Sequence, residues 1–306
     1  MFLKKLFRKS EDYSSQIDTA RKWIHEADAL VIGIGEGVSA ASGLDHARYH
    51  LVKAYFYDYY RMGFRSLAEL NRMYTQITPE NAKAYWGYWA RYIKYISYER
   101  EVGNGYRDLL RLIRNKNYMI YTTNIDSQVQ KVGFKEERVF AQGGDGRFLK
   151  CSQSCTQKLY DSMEILESMI KSMEGNLEIK ANKMPRCPHC GGYLIPNIQD
   201  VDWNRQREQE AKETVNEQPM QNESAFYDFV QKYSQEKIVF LELGMDPSIR
   251  MRTFFEEQSR QYDLARLIRV HEEEVSLSDD LKTKAIGIRM NLEEAIAEVA
   301  SGIVSL

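Results

Sequence analysis

The chain has 306 residues, enough for one large or two modest domains at about 100–200 residues each. With 43% hydrophobic and 28% charged residues it can build a core and a soluble surface, which argues against wholesale disorder. Its 42 Lys and Arg stand against 44 Asp and Glu, a formal net charge of −2. That lacks the basic surplus of a polyanion binder, so nucleic acid is not the default partner.

Met1-Phe2-Leu3-Lys4-Lys5-Leu6-Phe7-Arg8 is basic and mildly amphipathic. It lacks the apolar run of about 7–15 residues that a signal peptide needs, and no stretch approaches the ~20 apolar residues of a membrane span. It reads as a frayed lead-in rather than a membrane-surface helix. The expectation is a soluble cytoplasmic protein with no membrane partner, in which cysteines serve more often as metal ligands or free thiols than as disulfides.

Residues 14–26 carry Ile17, Ala20, Trp23 and Ile24 at helical spacing, and 27–33 read as a short buried strand. From about 46 to 116 the pattern is helical and aromatic, with Tyr55, Phe56, Tyr57, Tyr59 and Tyr60, then Tyr85, Trp86, Tyr88, Trp89, Tyr92 and Tyr95. Such a cluster forms helix–helix core or a substrate-facing wall, and core is the preferred reading. Further strands are expected at 118–123, 138–140, 238–243, 267–270 and 284–288, with Asn291 as the N-cap of a closing helix. Strands alternating with helices predict a mostly parallel α/β sheet. Residues 149–200 interrupt that rhythm as a small inserted module. The segments 156–186 and 204–224 are open between helix and loop.

Cys187-Pro188-His189-Cys190-Gly191-Gly192 places two thiols two residues apart, followed by glycines that permit a tight turn. Cys151 and Cys155 form a second pair, three residues apart. Four thiolates from two loops suit tetrahedral structural Zn2+, with no coordination position left for catalysis. The alternative is four free cysteines. His189 is expected beside the metal shell or in solvent.

Gly33-Ile34-Gly35-Glu36-Gly37-Val38-Ser39 sits where a strand meets a helix. Such glycines let backbone approach a pyrophosphate at a helix N-terminus, though they also occur in plain strand–helix turns. No acidic residue closes a second strand about 20 residues later, as the usual dinucleotide fingerprint has. Glu36 would repel phosphate unless its side chain turns away.

These residues resemble the sirtuin family. The family's G-A-G-x-S-x-x-S-G-I-P-D-F-R is matched, ungapped, by the run from Gly35 through Gly37, Ser39, Ser42 and Gly43 to Arg48. Thr123-Asn124-Ile125-Asp126 is similar to Q-N-I-D, and Phe140-Ala141-Gln142-Gly143 to a strand ending in His-Gly. The four cysteines with Pro188, Gly191, Gly192 and Pro196 make a fourth match. Leu243-Gly244-Met245-Asp246-Pro247 is a weaker fifth, and the order is preserved over roughly 27–300.

The resemblance implies a Rossmann-like parallel-sheet domain (14–148 and 225–306, with a helical insertion about 46–116) and a zinc-binding module (149–200). NAD would lie between them. Gly35, Glu36, Gly37 and Ser39 would surround its phosphates. Asn124 would hold water and the nicotinamide ribose, Asp126 would take the carboxamide, and Thr123, Arg48 and Gly244 would complete the cofactor set. The implied catalytic residues are Asn124, Asp126 and Gln142.

Gln142 stands where the family has its general-base His, and a carboxamide takes no proton near neutral pH. Losing a general base typically costs about 10²–10⁴-fold, which counts against deacylation. Ala47 replaces the Phe that covers nicotinamide, His46 an Asp, Glu36 an Ala, and Met245-Asp246 a Thr-Ser. The Gln-for-His exchange, the wide spacing between cysteine pairs and Glu242-Leu243-Gly244 resemble the macrodomain-linked class M sirtuins. That resemblance implies an NAD-dependent protein ADP-ribosyltransferase with a protein substrate. The substrate would be a lipoyl-carrier protein like that of the glycine cleavage system, and the resemblance brings in a macrodomain partner. The rivals are a lysine deacylase and a non-catalytic NAD-binding or sensing module.

Overall fold

The computed structural model describes residues 13–173, 175, 177–199 and 221–302. The basic lead-in and most of the 204–224 tract lie outside the described residues.

Six strands, β1 (Ala29–Ile34), β2 (Tyr118–Thr122), β3 (Val139–Ala141), β7 (Ile238–Leu243), β8 (Arg266–Val270) and β9 (Ala285–Ile288), form one parallel sheet in the order β3-β2-β1-β7-β8-β9. This is the expected α/β sheet, with strand ends shifted by one or two residues at several boundaries. The reason lies in the sequence. Every residue of β1, β2 and β7 is buried, as apolar runs must be when helices cover both faces. β4 (Gly144–Cys151), β5 (Tyr160–Asp161) and β6 (Leu194–Ile198) form a separate antiparallel sheet, order β5-β4-β6.

The helices are α1 (Ser14–Glu26), α2 (Glu36–Ala41), α3 (Tyr49–Tyr55), α4 (Tyr57–Arg61), α5 (Leu67–Met73), α6 (Ala82–Ile93), α7 (Asn104–Ile113), α8 (Gln128–Val132), α9 (Met163–Ser172), α10 (Glu223–Lys232), α11 (Arg250–Gln261) and α12 (Leu292–Ser301). Asn291 caps α12 as expected, its side chain accepting the amides of Glu293 and Glu294. A π-helical turn, Lys94–Glu99, extends α6.

Alternation along the strands divides the sheet's two faces. Leu30, Ile32 and Ile34 pack with α1, α7 and α12, while Ala29 and Val31 face α10 and α11. Tyr106, Leu109 and Ile113 place α7 in this sheet core. A third core joins α3–α6 to the small antiparallel sheet. Tyr59, Tyr85, Trp86, Tyr88, Trp89 and Tyr92 pack there with Leu149, Cys151, Leu166, Met169, Cys187 and Leu194. The aromatic stretch is therefore mostly core, but Tyr55 and Tyr57 are 53% and 56% exposed. No described helix is long and apolar enough to cross a membrane.

Candidate functional site

Parallel strands deliver their C-terminal ends, and the loops that follow, to one edge of the sheet. Here the loops after β1, β2 and β7 meet. Gly35 N donates to Leu243 O at 2.9 Å and Gly37 N to Gly244 O at 3.0 Å, while Thr123 N reaches Ile34 O at 3.3 Å. A Cβ on Gly35 would fall 2.4 Å from Gly244 O and 2.5 Å from Met245 Cα. Gly244 itself has φ +58. The glycines first allow two loops to pack backbone against backbone, a role that a strand–glycine–helix pattern cannot reveal alone.

Behind that contact lies a buried polar cluster. Asn124 Nδ2 donates to Gly35 O (2.9 Å), Ser39 Oγ (3.1 Å) and Tyr106 OH (2.9 Å). Ser39 Oγ donates to Asp126 Oδ2 at 2.6 Å and lies 3.0 Å from Tyr106 OH. The Gln128 amide bonds Asp126 Oδ1 at 3.3 Å. Burial pushes the Asp126 carboxyl above its ordinary value, and the Ser39 hydroxyl, the Gln128 amide and Arg100 act in the opposite sense. Ser39 from α2 and Asn124 and Asp126 from the loop after β2 thus meet Tyr106 of α7 in one network.

The cluster opens into a cavity of about 540 Å³, within the usual range of small-molecule sites. Ser39 and Thr123 to Asp126 form its floor; Asp246, Ser248 and Ile249 lie at one side, Ile195, Pro196 and Ile198 of the small module at another. The helical segment closes it with Asn71, Arg72, Tyr85, Trp89 and Tyr92. Aromatic residues read as core or as substrate wall are both, since Tyr85, Trp89 and Tyr92 are buried and also line the cavity.

His46 also lines the cavity, with its Nε2 2.6 Å from Tyr92 OH. Burial drops its pKa to about 4, with Arg100 acting in the same direction and Asp45 against it. His46 carries no site role in the sequence beyond a motif exchange. Tyr106, the hub of the polar cluster, carried no sequence signal either. The other proposed residues are placed differently. Arg48 pairs with Asp45 at 2.7 Å, 69% exposed, and Gln142 accepts a hydrogen bond from Tyr121 OH; neither lines the cavity. Glu36 lies exposed at the rim.

Cys151, Cys155, Cys187 and Cys190 converge, their sulfurs all within 4.8 Å of one another and three pairs at 3.4–3.6 Å. A tetrahedral Zn–S shell of about 2.3 Å radius separates its sulfurs by about 3.8 Å, so the donor set fits Zn2+. It does not fit disulfides, whose sulfurs lie about 2.05 Å apart. His189 lies exposed in the knuckle.

No family model matches the chain. It is 23% identical to a protein ADP-ribosyltransferase of Staphylococcus aureus over 307 residues, 97% of this chain and 87% of the relative. A probable bifunctional ADP-ribose hydrolase/ADP-ribosyltransferase of Fusarium oxysporum is 23% identical over 195 residues; the match spans 62% of this chain and 32% of that protein. Among solved structures, a Sir2 homologue–NAD complex superposes with TM-score 0.60 at 16% identity, covering 94% of each chain. A Sir2 homologue mutant–ADP-ribose complex gives 0.60 at 17%, covering 94% of this chain and 96% of that one. Sir2Tm bound to a propionylated peptide gives 0.53 at 16%, covering 96% and 100%. The chain has the fold of the Sir2 structures.

Proposed function

We propose that this chain is an NAD-dependent protein ADP-ribosyltransferase, moving ADP-ribose to a protein side chain with release of nicotinamide. The observation that carries the reading is the cavity floor. Ser39, Asn124 and Asp126 are locked together there, while Gln142, at the family's base position, cannot take a proton. Similarity to proteins named for ADP-ribosyl transfer and to Sir2 structures holding NAD and ADP-ribose supports it.

NAD supplies the ADP-ribose and the leaving nicotinamide. The residues of the chain do the rest. Asp126 accepts hydrogen bonds from the carboxamide, held by Ser39 and the Gln128 amide. Asn124 fixes the ribose side through the same network. Gly35, Glu36, Gly37, Ser39, Thr123 and Gly244 form the loops that receive the phosphates. As the nicotinamide–ribose bond breaks and neutral nicotinamide leaves, a bond from the acceptor atom to the same ribose carbon forms and the acceptor's proton passes to solvent. Gln142 stands at the base position but takes no proton, so the chemistry ends at transfer. We further infer that 14–148 and 225–306 bind NAD, while 149–200 is a structural zinc module closing the cleft. A lipoylated carrier protein is the acceptor candidate, with a macrodomain protein as partner in reversal.

Labelled NAD incubated with the lipoylated carrier should give labelled carrier. No label on the carrier or on any lysate protein sinks the reading. Asn124→Ala should abolish transfer with the fold intact, and unchanged activity overturns the site assignment. A lysine deacylase is separated by acyl-peptide turnover and by whether Gln142→His raises it. A second reading, an NAD-binding module without turnover, is favoured by Arg48 in solvent and Gln142 off the cavity wall. Tight calorimetric binding of NAD without nicotinamide release would decide for it.

A further inference from the structure

The segment from α3 through α5 differs from the rest of the described surface. Tyr49, Tyr55, Tyr57, Met62 and Met73 are five of the seven large hydrophobic side chains exposed among the described residues. Contacts tie part of this segment into one patch. The Tyr57 ring stacks 6.1 Å from Tyr60, Lys53 Nζ lies 6.0 Å from the Tyr60 ring, and the Arg65 guanidinium lies 4.6 Å from it.

The patch is also positively charged. The acids of this stretch are already engaged: Asp45 with Arg48 at 2.7 Å, Asp58 with Arg91 at 2.6 Å, and Glu69 on the Arg65 amide at 2.7 Å. Lys53, Arg61, Arg65 and Arg72 have no carboxylate partner among the described residues. Arg72, exposed among these cations, also lines the cavity with Ala68, Asn71 and Thr75, so the positive charge of the segment reaches the cavity. Exposed Tyr and Arg are the residues that carry most binding energy at protein interfaces.

We propose that this face docks the acceptor protein through an acidic surface of that partner and presents its acceptor group to the cavity. The inference rests on the transferase reading above. The local cations complement acid, while a net charge of −2 gives the whole chain no attraction for a nucleic-acid polyanion.

The test uses the full chain, labelled NAD and the lipoylated carrier as acceptor, with exchange of labelled nicotinamide into NAD as an acceptor-independent readout. Lys53→Glu with Arg65→Glu, and separately Tyr57→Ala, change exposed side chains only. The KM for carrier should rise about tenfold or more, with kcat within about twofold and exchange unchanged. Salt should weaken carrier use by the wild type and leave the charge-reversed protein indifferent. A KM within twofold of wild type overturns the docking inference alone, as does exchange falling in step with transfer. Salt-dependent binding of single-stranded RNA that the charge reversal abolishes, with carrier use unaffected, also overturns it. Wild-type protein that neither exchanges nicotinamide nor labels the carrier overturns the transferase reading and the docking inference with it.

Discussion

Gly35→Ala perturbs the contact on which the site is assembled. The new Cβ would stand 2.4 Å from Gly244 O and 2.5 Å from Met245 Cα, so backbone must move about 1 Å to restore ordinary contact at 3.4 Å. Neither obstacle is the flexible end of a side chain. If Gly35 takes the movement, the bond from Asn124 Nδ2 to Gly35 O stretches from 2.9 Å to about 3.9 Å and is lost. Overpacking of this kind costs about 1–3 kcal/mol, and a misplacement of 1 Å at a reacting centre costs about 100-fold in rate. Thermal unfolding measures the first effect and nicotinamide exchange the second. Gly133→Ala is the matched control, with φ +104 and nothing within 4 Å. It should lose stability through backbone strain without losing exchange. Exchange by Gly35→Ala within about threefold of wild type would refute the reasoning, because the loops would then be free to separate without consequence.

The remaining predictions concern metal, charge and pH. The purified protein should hold about one Zn2+ per chain by elemental analysis, and Cys187→Ser should release it and lower the melting temperature. Cys151 and Cys187 belong to the core shared with the cavity wall, so activity should fall too; metal-free protein of unchanged stability would refute a structural site. Glu242 is buried between Arg252 at 2.8 Å and Arg269 at 2.9 Å. Glu242→Ala should cost about 3–5 kcal/mol in urea unfolding because the buried Arg252 loses its carboxylate partner and Arg269 is left with Glu256 alone. His46 has a folded pKa of about 4 against an ordinary 6.5, so its neutral form favours the fold. That stability is present above pH 6.5 and disappears as pH falls through 4, up to about 3 kcal/mol. His46→Gln should flatten acid unfolding across this window, and an unchanged profile would show that the ring is not held neutral.

Much of the fold is legible along the chain because its signals are local. Apolar runs such as 238–243 read as buried strands, and Asn291 before an apolar-periodic stretch reads as a cap. The two cysteine pairs announce a metal site by spacing alone, since four thiols within reach of one centre have few other uses. The 156–186 segment reads as helix or loop alike, and its described residues hold β5, α9 and a short 3₁₀ turn at Ala181–Lys183.

The sequence by itself determined the parallel α/β sheet and the thiolate set, and it singled out Ser39, Asn124 and Asp126, because each depends on near neighbours and short motifs. Only the tertiary structure decided that α7 brings Tyr106 into the polar cluster and that Gly35 packs on Gly244. It also decided that Tyr85, Trp89 and Tyr92 wall the cavity while Tyr55 and Tyr57 face solvent. The physical reason is that aromatic spacing fixes which residues share a helix face. Which face meets core, cavity or water depends on partners a hundred residues away.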